Sequence, residues 1–380
     1  MTRPERSERG FTLIELMVAL VVSSLLVGMI LAIFNRMSMA YRGQQQIAGV
    51  QQVLAAARAT IELDAKQAGL ELSQGFRYAA DTGTPPTARL PVRVIDNLTG
   101  MGPDQLFFYY ADPTTQAAVT GGTMPTINVD AATGFAAGDL VVVSRVDTTT
   151  AGVNPGVDAN LATYEACVLK VTAVTATPAR LTFDTTAPWG RPGEGHCTMA
   201  LSSPTMVYKF IARAYRIDTS TALLAAKGPL QLSQTGGLIG TAADGWTDLA
   251  YGFTDIQTAL QVYHTAWSPT DTPDPDLDPQ RDWYSDATQT TLTGLTSPLT
   301  GSEGLLQMSI SLVARTDRPV EGIATAATPN LTDATAPNNN TVGNHASVAL
   351  PAAGDPALTG SRIYRFTTFT VDLRNLGVGR

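Results

Sequence analysis

Hydrophobic and polar positions follow three different rhythms along this chain. From Phe11 to Phe34 the only charged residue is Glu15, and the run from Leu16 to Phe34 carries none. At about 1.5 Å per residue a helix over those positions is about 36 Å long, enough to cross a hydrocarbon layer of about 30 Å. The first rhythm therefore predicts a membrane span. Farther on, Ile47, Val50, Leu54, Ala57, Ile61, Ala65, Ala68 and Leu72 recur at steps of three and four, with Gln44, Gln51, Arg58, Glu62 and Lys66 largely between them. That spacing puts an apolar stripe on one face of a helix. The two stretches join into one helix expected from Phe11 to about Ser73, roughly 95 Å long. Gly69 and Gly75 weaken its end, and Pro85 and Pro86 forbid its continuation.

From about residue 90 the rhythm becomes that of strands separated by Gly, Pro, Asp, Asn and Thr. Leu106–Tyr110, Asp139–Ser144, Glu165–Val171 and Arg180–Phe183 are dense in β-branched and aromatic residues. Thr205–Ile217, Ile256–His264 and Ile363–Leu373 read as further strands. Met308, Ile310 and Leu312 alternate with Gln307, Ser309 and Ser311, as in a half-buried antiparallel strand. Ala222–Ala226 is expected to pair with the strand before it, and Asp248–Asp255 to form a short helix or turn. Ser268–Arg281, where prolines interleave with aspartates, and the Thr/Ala/Asn/Pro-rich stretch Ala324–Asp355 are expected to be surface loops.

The expected fold class is thus α+β. A long N-terminal α-helical spine, hydrophobic in its first half and amphipathic in its second, packs on an antiparallel β-sheet head that carries an inserted β subdomain. The expected division is a leader over 1–10, a membrane and fibre-core helix over 11–34, and an amphipathic helix over 35–75. The head comprises 76–123 and 205–380, and the inserted subdomain 124–204.

The ten residues before the span include Arg3, Arg6 and Arg9. An excess of Lys/Arg keeps a flank on the cytoplasmic side, so the remainder of the chain is expected to be exported. No A-x-A-like site follows the apolar run, which is too long for an ordinary cleaved signal. Glu15 needs a partner in such a setting. Cleavage after Gly10 supplies one: the new α-amino group of Phe11 lies one helical turn away, in the same chain or in a neighbouring subunit.

Gly10-Phe-Thr-Leu-Ile-Glu-Leu16, behind a short basic leader and ahead of an apolar helix, resembles the processing site of type IV prepilins and pseudopilins. The resemblance implies that a prepilin peptidase cuts after Gly10, that Phe11 is N-methylated, and that Glu15 serves subunit assembly. Softer motifs extend it: Asp248-Leu-Ala-Tyr-Gly-Phe-Thr-Asp-Ile-Gln257 with Tyr263, Ser311-Leu-Val-Ala-Arg315, and Phe369-Thr-Val-Asp-Leu-Arg-Asn375 resemble the PilW-type minor pilins and their J-type pseudopilin relatives. They imply a minor subunit that helps prime pilus assembly and joins a tip complex, beside other minor pilins, the major pilin and a tip adhesin. A J-type pseudopilin of a type II secretion system and a tip-located adhesin subunit are the alternatives. The expected location is the inner membrane with the head in the periplasm, then the extracellular pilus.

Composition narrows the chemistry further. The formal net charge is −8, and Lys and Arg are scattered after the leader, which argues against a nucleic-acid surface. Cys167 and Cys197 are the only cysteines and both lie in the exported part. A disulfide between them is expected there, closing a loop of about 30 residues for roughly 3 to 4 kcal/mol. The three histidines, His196, His264 and His345, fall in no hydrolase or zincin motif, and no phosphate-binding loop is present. The chain is expected to be no enzyme and to hold no cofactor. Asp274, Asp276 and Asp278 offer oxygens to calcium, but Pro275 and Pro279 stiffen the loop and no turn glycine is present. A solvated acidic loop is expected. Gly134-Phe-Ala-Ala-Gly-Asp139 is read as a structural turn into a strand.

Overall fold

The computed structural model describes residues 12–72, 76–78, 89–95, 103–145, 166–186, 205–218, 228–236, 238, 245–263, 281–284, 304–317 and 363–373. Helix α1 (Leu13–Gln67) runs unbroken for 55 residues, about 83 Å. It ends six residues short of Ser73, and the backbone gives the reason. Gly69 (φ +80°) and Glu71 (φ +57°) adopt left-handed conformations, which terminate a helix. The freed groups turn to a strand: Gly69 N–H donates to Tyr109 O at 2.9 Å, and Ala111 N–H donates to Leu70 O at 3.0 Å.

Fourteen strands follow among the described residues: β1 (Arg77–Tyr78), β2 (Val92–Ile95), β3 (Gln105–Thr123), β4 (Thr126–Val129), β5 (Leu140–Arg145), β6 (Ala166–Ala176), β7 (Ala179–Phe183), β8 (Thr205–Ile217), β9 (Leu230–Ser233), β10 (Thr247–Ala250), β11 (Phe253–Tyr263), β12 (Arg281–Tyr284), β13 (Gly304–Arg315) and β14 (Tyr364–Asp372). The first sheet presents β2-β3-β8-β9-β10 to the helix, and a second, fully antiparallel sheet has the order β12-β11-β13-β14. Both bury the apolar stripe of α1. Val50, Leu54, Ala57, Ile61, Ala65 and Ala68 share one core with Phe108 and Tyr215 of the first sheet and with Ile256, Ile310, Leu312 and Phe369 of the second.

The long strands β3 and β8 do more than cover the helix. Beyond the helix end, the register of β3 against β8 shifts between Asp112 and Gln116. From there the pairing β3-β4-β7-β6-β5-β8 closes on itself, because β8 pairs again with β3. The result is a closed six-stranded barrel filled by Ile127, Val141, Val143, Leu169, Leu181 and Val207 among others. Residues 124–204 supply β4 to β7, and the ends of β3 and β8 complete the ring. The Gly134–Asp139 turn sits at its wall: Phe135 is in the barrel core, Gly134 and Gly138 have φ of +90° and +96°, and the Asp139 carboxylate accepts from Ala136 N–H at 2.9 Å and pairs with Lys209 at 3.0 Å. Since β3 leaves α1 at the helix C-terminus, the barrel lies at the end of the head remote from the apolar half of the helix.

The structure differs from the expectation at several elements. Asp248–Asp255 is not a helix but the end of β10, a break at Tyr251–Gly252 and the start of β11, with Gly252 at φ +95°. β3 continues thirteen residues past Tyr110, and Arg281 opens β12 rather than closing a loop. Ala222–Ala226, residues 268–280 and Ala324–Asp355 lie outside the described residues.

Candidate functional site

The N-terminal end of α1 is built by a reciprocal cap. Thr12 has extended backbone (φ −79°, ψ 148°) and stands as N-cap. Its N–H and its Oγ1–H both donate to the Glu15 carboxylate, at 3.0 and 2.9 Å, and Glu15 N–H donates back to Thr12 Oγ1 at 3.4 Å. This capping box satisfies orphan donors of the first turn and places a negative charge at the positive end of the helix dipole. Sequence reasoning sought the partner of Glu15 in the Phe11 amine and overlooked Thr12, although Thr12-x-x-Glu15 is the spacing of such a box. Gly10 and Phe11 lie outside the described residues.

Past the cap, every large apolar side chain from Leu13 to Phe34 is between 50% and 78% exposed. No described element packs on this half. By length and composition it is enough to cross a membrane. A charge-free helix left bare in this way must find lipid or other helices. On the head-side half, Arg58, Glu62 and Lys66 line one border. Lys66, at 2.7 Å, holds the Glu62 carboxyl below the usual carboxylate range, and Arg58, at 3.3 Å, adds to it.

One carboxylate on α1 is buried. Asp64, 7% exposed, accepts hydrogen bonds from Tyr110 of β3 at 2.8 Å and from Tyr215 of β8. Burial and the neighbouring carboxylate push both tyrosine hydroxyls well above their ordinary range. This group fixes the rotation of the helix against the strands that continue into the barrel. It was missed in the sequence because an aspartate on the stripe Ile61–Ala65–Ala68 carries no periodic signal of its own.

Cys167 is fully buried on β6 in the barrel core. Cys197, His196, His264, His345 and Asp274 to Asp278 lie outside the described residues. Among the described residues no cluster of three or more His, Cys, Asp or Glu is placed to hold a metal ion.

Residues 6–31 match the family described as the prokaryotic N-terminal methylation motif. No curated protein matches the chain. Among solved structures the chain is similar to a type IV-like pilin from Thermus thermophilus, with 10% identity and a TM-score of 0.34, over 86% of this chain and 97% of that one. The chain thus carries a prokaryotic N-terminal methylation motif that leads into a bare apolar helix, whose second half packs on a large antiparallel sheet.

Proposed function

We propose that this protein is a minor subunit of a type IV pilus that takes part in priming assembly and in the tip complex. The observation that carries the reading is the Gly10–Leu16 motif at the head of a helix whose first half is bare and free of charge apart from Glu15. Prepilin peptidase cuts after Gly10 and methylates Phe11. The subunit waits in the inner membrane with its head in the periplasm and then moves into the extracellular fibre. There Glu15 exchanges its Thr12 contacts for the Phe11 amine of a neighbouring pilin. The role is packing, with no cofactor. A disulfide between Cys167 and Cys197 suits the exported head, and no cysteine is free among the described residues.

The test is a Glu15→Ala strain beside a Gly10→Val strain. Gly10→Val is expected to block cleavage. Glu15→Ala is expected to be cleaved yet to drop out of sheared fibres, and normal incorporation of that variant sinks the assembly role. The barrel at the far end of the head favours a second reading, a tip-located adhesin subunit. Substitutions on its exposed outer face, such as Thr120→Lys and Thr123→Lys, would then abolish adhesion and leave fibre number unchanged.

A further inference from the structure

Of the strands that end a sheet, β2, β10 and β12 have four residues each, and β10 carries a register shift between Asp248 and Ala250. β14 is different. Its nine residues run about 31 Å against β13 without a shift, hold no proline or lysine, and are free of charge over 366–371. Ile363 O accepts from Thr316 N–H and Leu373 N–H donates to Leu306 O, so the odd positions between them bond to β13. The N–H and C=O groups of Tyr364, Phe366, Thr368, Thr370 and Asp372 therefore point away from β13, and no described strand takes them up. Phe366 stands 55% exposed beside this edge. Natural proteins blunt their sheet edges with charge, proline, bulges or shortness, and here only the other three edges are blunted.

We infer that the free edge of β14 receives an extended segment of a different protein, added as one more strand to the second sheet. A ladder edge specifies its own cover: an extended backbone presents a donor and an acceptor every ~6.8 Å, which a helix or a globular face does not. The side chains specify more. Phe369, Val371 and Leu373 face the core shared with the helix, so Arg365 is on the helix side as well, where the Arg58 guanidinium lies 5.1 Å from the centre of the Phe369 ring. With Glu62 shared between Arg58 and Lys66, that flank is net positive in a chain of net charge −8. The added segment therefore alternates acidic residues, turned toward Arg58 and Arg365, with apolar ones beside Phe366. A second copy of this chain does not fit. Antiparallel pairing of two β14 edges has a two-fold axis normal to the sheet, which also reverses the helix packed on it, so the two bare N-terminal halves would point in opposite directions and could not share one membrane. This contact is independent of the assembly role proposed for Glu15.

The experiment uses the full-length chain in its own cells, with the photo-crosslinker p-benzoylphenylalanine in place of Phe366 or, separately, of Thr370. Illumination is expected to join both positions to one segment of one other protein, at residues separated by the same spacing as Phe366 and Thr370, because paired strands advance in step. Mass spectrometry of the joined peptides reads that spacing, and the segment is expected to carry Asp or Glu at alternate positions. Thr368→Pro removes an outward N–H and is expected to cut both cross-links roughly tenfold or more, whereas Thr368→Ala keeps the backbone donor and retains them. Since the Thr368 N–H is not part of the ladder with β13, Thr368→Pro is expected to keep the protease resistance of the wild-type head. If that variant fails to fold, the spacing of the cross-links in the otherwise unaltered chain still decides. No cross-link, cross-links scattered over several segments, cross-links to a second copy or to this chain's own residues, or cross-links unchanged in Thr368→Pro would each overturn the inference.

Discussion

Tyr215 donates its hydroxyl hydrogen to the carboxylate of Asp64, 151 positions earlier in the chain. The contact joins the helical spine to β8, while Tyr110 joins the same carboxylate to β3. A buried carboxylate is costly unless hydrogen-bonded, and removing it strands its donors. Asp64→Ala is therefore expected to destabilise by about 2 to 4 kcal/mol, more than Tyr215→Phe, which leaves Tyr110 in place. Thermal unfolding of the detergent-solubilised full chain checks the order. An Asp64→Ala variant as stable as the wild type would show that the carboxylate does not tie spine to sheet.

The same cluster sets a pH dependence at the alkaline end. Both tyrosines have pKa values raised by burial and by Asp64. A raised folded-state pKa contributes stability that is complete below the unfolded value, about 10 for tyrosine, and is lost as pH climbs past it. The unfolded chain then releases protons that the folded chain retains. Stability is expected to fall above about pH 10 more steeply in the wild type than in a Tyr110→Phe, Tyr215→Phe double variant. Denaturant midpoints measured between pH 8 and 11 on both proteins decide it, and parallel curves would count against the cluster.

The first half of α1 was legible in the sequence as an unbroken apolar run, its second half as a stripe repeating every three to four residues, and the span of β8 as a long run of strand-forming residues. The apolar stripe of the helix is the one the sheets bury from Val50 to Ala68, whereas Ile47 is only half-buried and Leu72 belongs to the separate core of Phe76, Tyr109 and Phe210. The second half of β3 was not legible. Ala111–Thr123 holds three alanines, two glycines and Asp112, residue types depleted in strands, and contains Pro113. That proline is tolerated because it falls between Asp112 and Gln116, where the register shifts and a ladder donor is not needed. Closure of the barrel depends on β3 meeting β8 nearly a hundred residues later, a pairing that no local pattern encodes. The Thr12–Glu15 cap was legible as a spacing, but the Asp64 cluster required the helix and two strands from three places in the chain.

Cys167 lies fully buried in the barrel core. With Cys197 it is expected to form a disulfide whose loss lowers stability by about 3 to 4 kcal/mol in the chain-entropy account. Intact mass after alkylation without reductant should show no modified thiol, and Cys197→Ser should unfold at lower denaturant than the wild type. Two alkylated thiols in protein recovered from the periplasm would exclude the bridge.

The proposed assembly role of Glu15 can be separated from its observed capping role by one substitution. In the capping box its side chain need only accept hydrogen bonds from Thr12, which a glutamine also does. Pairing with a neighbour's Phe11 amine needs the negative charge. Glu15→Gln is therefore expected to keep the helix start and cleavage after Gly10 while incorporation into fibres falls nearly as far as in Glu15→Ala. Thr12→Ala removes the hydroxyl from the box and leaves the charge, so it should incorporate far better than either. Mobility shift on immunoblots reports cleavage, and the sheared-fibre fraction reports incorporation. If Glu15→Gln incorporates like the wild type, capping rather than charge is what Glu15 contributes, and the exchange of Thr12 for a neighbouring amine is wrong.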